Sequence, residues 1–197
     1  MTPPSGRVGA IVLAGGRSAR FGRDKLAEPI AGRPMLDRAI DAVRSVATDV
    51  IVVSAPDSSS NVPDDVRVVR DARAFDGPLA GIATGLAAVD PSVERVIVVG
   101  GDMPTLVPSV LAGLLDALDR GDLAVLADDV GPRPLPMAAR LAIVRPAADR
   151  LLSTGERRLR ALLGELTVEV IPPAVWHLDD PTGETLRDVD VEGDLPT

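Results

Sequence analysis

The stretch "AIVLAGGRSARFGRDK", residues 10–25, decides how the rest of the chain is read. Its apolar half begins at Val8, and residues 8–14 form a short unbroken apolar run, the pattern of a strand buried on both faces. Gly15 and Gly16 end the run, and Arg17, Arg20, Arg23 and Lys25 then fall within nine positions, with Asp24 the one acid among them. Glycines behind a strand let backbone N–H groups approach an anion closely, and the cations add full charges. The loop therefore has the outline of a phosphate site. It is not a Walker A loop, because no Gly-Lys-Ser/Thr follows at the required spacing, and it is not GxGxxG. On spacing alone, a solvated basic loop between strand and helix remains the alternative.

Outward from this stretch, strands and helices alternate. Met35, Leu36, Ala39, Ile40, Val43 and Val46 recur at helical spacing behind Pro34. Residues 49–55, 66–71 and 95–104 read as further strands, 81–89 and 107–119 as helices, and "DLAVLAD", 122–128, as another strand. The alternation of apolar strands with helices predicts an α/β domain with a mostly parallel sheet covered on both faces. After Gly131 the pattern is less regular. "PLPMAARL", 134–141, carries two prolines and reads as an edge strand. Residues 143–152 read as a helix interrupted by Pro146, 159–166 as a helix and 167–171 as a strand. With no repeat and no linker, residues 1–197 read as one domain whose C-terminal third decorates the sheet and shapes half of a cleft.

Composition narrows the chemistry. Hydrophobic residues make up 46% of the 197 residues and charged residues 25%, which describes a folded domain rather than a disordered one. The formal net charge of -8 argues against general affinity for nucleic acid or an anionic membrane, and it makes the local basic cluster more pointed. There is no cysteine, so disulfides, thiolate nucleophiles and Cys-based zinc sites are excluded. The single histidine, His177, excludes HExxH and any two-His metal site, and it reads as a surface residue beside Trp176. No apolar run approaches a membrane span, and the expected location is the cytoplasm.

Ligands of such sheets bind beyond the carboxyl ends of the strands, where Gly15-Gly16, Asp71 and Asp102 are expected. In "GGDMP" a carboxylate follows a strand and two glycines, a position from which it can hold a hard cation such as Mg²⁺ together with substrate phosphate. A turn-capping aspartate is the alternative for Asp102 and for Asp71. Asp188 and Asp190 alternate, as residues sharing one strand face do, and read from pattern as exposed decoration. A phosphate cradle plus a strand-end aspartate points to metal-assisted chemistry at phosphorus, which is mostly positioning and charge neutralisation.

These residues resemble a known family. "LAGGRSARFGRDK" (13–25) is similar to the signature of nucleotidyltransferases of the MobA family, the molybdenum cofactor guanylyltransferases. "GPLAGI" (77–82), "GDMP" (101–104), "TGERRLRALL" (154–163) and "DVDVEGDL" (188–195) resemble further family segments in the same order. The resemblance implies a three-layer α/β/α Rossmann-like fold and transfer of GMP from Mg-GTP to the phosphate of molybdopterin cofactor, with release of pyrophosphate. It implies that Leu13, Ala14, Gly15 and Gly16 hold the nucleotide through backbone groups, that Lys25 meets its phosphates, and that Asp71 contacts it. It further implies Mg²⁺ on Asp102 with Asp190 as a second ligand, and pterin substrate near Gly155, Glu156, Arg157 and Arg158. Transient contact with molybdoenzymes would follow. The chain departs from the family pattern at Ser54, at Asp188 and Asp190 where asparagines are usual, and at Leu135–Met137. Gly16 and Asp24 favour guanine. A related transferase with another base or acceptor, such as a cytidylyltransferase, and a non-catalytic nucleotide-binding chaperone are the competing readings.

Overall fold

The computed structural model describes residues 6–15, 25–56, 62–71 and 77–189. The chain opens with β1 (Arg7–Ala14), and a 3-10 turn at Lys25–Ala27 precedes a small hairpin of β2 (Pro29–Ile30) and β3 (Arg33–Pro34). Ala31 and Gly32 both take positive φ between these two strands, as a tight two-residue turn requires. Then follow α1 (Met35–Arg44), β4 (Asp49–Ser54), β5 (Arg67–Arg70), α2 (Pro78–Ala88), β6 (Val93–Gly100) and α3 (Pro108–Ala117). The rest comprises β7 (Leu123–Ala127), β8 (Pro132–Arg140), α4 (Leu141–Ser153), α5 (Leu162–Glu165), β9 (Val168–Ile171) and α6 (Pro173–Trp176), with 3-10 turns at Leu159–Ala161 and Glu184–Leu186.

Seven strands form one sheet in the order β5-β4-β1-β6-β8-β7-β9. All neighbours are parallel except β8, which runs antiparallel to both β6 and β7. β1 lies inside the sheet, and its alternate residues serve two cores. Val8, Ala10, Val12 and Ala14 pack with α1, α3 and Trp176 on one face, and Ile11 packs with α2 and α4 on the other. That two-sided burial is why the strand is apolar without alternation. Gly85 lets α2 lie close: a Cβ there would come within 2.7 Å of Ile11 Cγ2.

The residues after Gly131 do more than decorate. β8 is a central strand, not an edge. Its ladder with β6 runs only from Arg140 to Met137, and its ladder with β7 is irregular between Val125 and Ala127. Pro132, Pro134 and Pro136 therefore sit past the end of the β6 pairing, where the lost N–H donors break no ladder on that side. Pro146 does not interrupt α4 either. Its missing N–H would have served Ala142, and both residues are exposed, so water reaches the freed carbonyl. Residues 187–189 are not a strand, so Asp188 belongs to no strand face, and it is exposed.

Because β5, β4, β1 and β6 are parallel, their carboxyl ends share one rim. The chain proceeds from β1 to β4 and β5 on one side and then returns to β6 on the other. The switch of direction thus falls between β1 and β6, where sheets of this kind open a crevice.

Candidate active site

The ladder carries on past the strand ends. Gly101 N–H donates to Leu13 O at 2.9 Å, and Asp71 N–H donates to Ser54 O at 2.9 Å. Three strand spacings separate the ends of β5 and β6, which sets Asp71 and Asp102 about 14 Å apart along the rim. Leu13, Ala14 and Gly15 lie between them. Gly15 is exposed, and a Cβ on it would meet Ala55 N at an ordinary 3.5 Å. The surrounding described atoms thus do not demand a glycine there.

The glycines of "GGDMP" are different. A Cβ on Gly100 would collide with the Asp102 carboxylate, and one on Gly101 would lie 3.1 Å from Leu36 Cδ1 and 3.2 Å from Leu13 O. The first glycine makes room for the acid and the second lets the turn close against β1 and α1. Arg38 of α1 steadies the same loop by donating to Pro104 O at 3.1 Å.

Across the crevice, Lys25 Nζ donates to Asp102 Oδ2 at 2.8 Å and to Val189 O at 3.1 Å. The two side chains are 16% and 30% exposed, so the pair is shielded yet reachable. Val189 also donates its N–H to Asp102 O at 3.0 Å. One peptide segment thus holds both the cation and the acid. Asp102 Oδ atoms and Val189 O are hard oxygen donors, the ligand type that Mg²⁺ takes. Among the described residues no three His, Cys, Asp or Glu gather to hold a metal by themselves. That suits a cation carried by one or two carboxylates and completed by phosphate oxygens.

On the opposite face of β1, Asp71 is buried, and Thr84 Oγ1 donates to its Oδ1 at 3.2 Å. A Cβ on Gly81 would sit 3.6 Å from Leu13 Cδ2 and 3.9 Å from Asp71 Oδ2, so the start of α2 lies beside both. The same helix end meets the other predicted segment. Leu79 N–H points to Arg157 O at 3.4 Å, and Gly77, at φ +91°, faces that carbonyl so closely that a Cβ would lie 2.8 Å from it. Gly155 turns the chain at φ +86°. Glu156 then accepts the side chain of Arg158 and the backbone N–H groups of Arg158 and Arg157, which together hold its carboxyl down to about 2. Arg157 and Arg158 are both exposed, with Arg158 paired to Glu156.

The structure therefore brings Lys25 to Asp102, Leu13 to Asp71, and residues 155–158 to the start of α2. Gly16, Arg17, Arg20, Arg23, Asp24 and Asp190 lie outside the described residues. Val189 and Thr84 were not anticipated from the sequence. Val189 contributes only its backbone, which leaves no mark in residue type, and a threonine within a small-residue helix carries no signal by itself.

The chain is similar to several known proteins. The Probable molybdenum cofactor guanylyltransferase of Chloroflexus aggregans is 32% identical over 193 residues, covering 94% of this chain and 90% of that protein. The molybdenum cofactor guanylyltransferase of Sinorhizobium fredii is 32% identical over 167 residues, covering 82% and 77%. The solved molybdopterin-guanine dinucleotide biosynthesis protein A of Archaeoglobus fulgidus shares the fold, with a TM-score of 0.77 at 20% identity over 95% and 94% of the two chains. The model of the MobA-like NTP transferase domain matches residues 10–170, and the chain belongs to that family.

Proposed function

We propose that this chain transfers GMP from Mg-GTP to the terminal phosphate of molybdopterin cofactor and releases pyrophosphate. The observation that carries the reading is the Lys25–Asp102 pair at the switch point of the sheet, in a chain of this family. An ionised phosphate oxygen of the acceptor attacks the α-phosphorus of GTP. The new O–P bond forms as the bond to the β-phosphate oxygen breaks, and pyrophosphate leaves with the electron pair. A phosphate monoester is largely ionised near neutral pH, so no general base is needed. What the step needs is relief from repulsion between the acceptor and the triphosphate, and the Lys25 ammonium supplies it.

Leu13, Ala14, Gly15 and Gly16 receive the nucleotide through backbone groups, and Asp71 contacts it from the α2 side. Asp102, with Asp190 as a second ligand, would hold Mg²⁺, which would supply charge neutralisation for the triphosphate and the leaving pyrophosphate. Gly155, Glu156, Arg157 and Arg158 line the pterin side. The arginines exposed there suit an anionic acceptor. A cytoplasmic setting and transient hand-over of product to molybdoenzymes belong to the same proposal. Among the described residues no helix is long and apolar enough to cross a membrane.

Pyrophosphate release, measured with GTP, CTP and ATP in the presence and absence of molybdopterin cofactor and Mg²⁺, tests the reading. GTP with acceptor should be fastest, because polar groups matched to guanine are left unpaired by another base. Faster release with CTP would move the chain to the cytidylyl reading. Binding without release for every nucleotide would make it a chaperone.

A further inference from the structure

Behind the Lys25–Asp102 pair runs a polar support that the transfer reading does not use. Asp180 is 3% exposed and lies four residues past the end of α6. Its carboxylate accepts the N–H of Thr185 at 2.7 Å and that of Glu184 at 3.1 Å. The Thr185 hydroxyl, closed to solvent, accepts the N–H of Val107 at 3.2 Å. Thr105 Oγ1 donates to Glu184 O at 2.8 Å. Residues 183–189 are thus stapled to the loop 102–107, and the staple ends at Val189, whose N–H holds Asp102 O and whose carbonyl holds Lys25. Gly183 turns the chain into this segment at φ +71°.

We propose that Asp180 is a positioning residue of the transfer site: through Thr185 it fixes residues 183–189 against the loop following Asp102, and so sets where Lys25 and Asp102 stand. Burial works to raise the pKa of Asp180. The Thr185 N–H and hydroxyl and the N–H groups of Glu184 and Gly183 outweigh it and hold the group below the usual carboxylate range. The carboxylate is therefore ionised near neutral pH. Residues 183–189 bond Lys25 and Asp102 directly, so loosening this segment disturbs the phosphate and metal end.

The inference rests on the reading of Lys25 and Asp102 as the phosphate and metal residues. The test compares Thr185→Val, Thr185→Ser and Asp180→Asn by Mg²⁺ titration of turnover and by Mn²⁺ affinity of the protein–GTP complex, read by electron paramagnetic resonance. Thr185→Val keeps the shape and loses the hydroxyl that accepts the Val107 N–H. Asp180→Asn puts an NH₂ against an N–H donor. Both should weaken Mn²⁺ binding and lower kcat by about 10–100-fold, the usual cost of removing support behind a metal ligand, with KM for GTP at saturating Mg²⁺ nearly unchanged. Thr185→Ser should match wild type. A fall in active fraction with unchanged metal affinity, or wild-type behaviour of Thr185→Val, overturns the proposal. Should Asp180→Asn fail to fold, Thr185→Val decides alone, and should that fail too, Thr105→Val, which cuts only the bond to Glu184, decides by the same readouts. If instead Asp102→Asn itself keeps wild-type activity and metal affinity, the reading of the site has failed rather than the role of Asp180.

Discussion

Replacing Lys25 by methionine should change metal binding in opposite directions depending on whether nucleotide is present. The ammonium lies 2.8 Å from Asp102 Oδ2, and a metal ion on that oxygen must displace it. Two unit charges at that separation attract by about 6 kcal/mol at an effective dielectric of 20, before desolvation is subtracted. Net worth for a charge-assisted hydrogen bond in a partly shielded place is about 1.5–3 kcal/mol. Methionine keeps the apolar stem and removes that competitor. Mn²⁺ affinity of the protein without nucleotide should therefore rise by about 10–150-fold. With GTP the sign reverses, because the triphosphate loses its lysine, and kcat/KM should fall by about 2–4 kcal/mol, or about 30–1000-fold. Mn²⁺ titration followed by paramagnetic resonance, with and without GTP, and pyrophosphate release give the two numbers. If the variant is folded by circular dichroism and its affinity for Mn²⁺ alone is unchanged or lower, Lys25 does not compete for Asp102 and the pairing has no part in metal entry.

Gly100→Ala should push the Asp102 carboxylate aside and cost about 10–100-fold in turnover without loss of fold, seen in steady-state kinetics beside circular dichroism. Leu114→Ala, at a site closed to solvent under the sheet, should cost about 2–5 kcal/mol in urea unfolding and leave KM for GTP unchanged. Glu156 should titrate by carbon-detected NMR with a midpoint of about 2, and Arg158→Ala should move it toward the ordinary glutamate value. Since folding depresses this pKa, its contribution to stability is complete above the ordinary glutamate range and is lost as pH falls through about 2.

The strands nearest the site were the most legible. β1, β4 and β6 are buried on both faces, so each reads as a continuous apolar run, and their shared direction carries Gly15 and Asp102 to one rim. β8 was misread because proline argues for an edge, whereas these prolines fall where the β6 ladder has already ended. That pairing is a property of the neighbour's length and is not written in β8 itself. The β2–β3 hairpin and α6 escaped because two to four residues carry no periodicity. At the site, Lys25 and Asp102 announced themselves by charge and by the glycines before them. Asp180 did not, sitting between an aspartate and a proline in a polar stretch that resembles any surface turn. Its importance arises from burial, which only the folded chain reveals.

Lys25 and Val189 touch across 164 positions of sequence. Bringing such distant segments together costs loop entropy that is offset only once the intervening sheet exists. The pocket is therefore completed after the strands have paired, by a segment that can also come away first. An opening of residues 183–189 that leaves the sheet intact would be recorded by hydrogen exchange at the Val189 amide, which is bonded to Asp102 O. A population of this protein can thus be fully folded by its backbone spectrum and still contain molecules whose lysine and aspartate are not yet set.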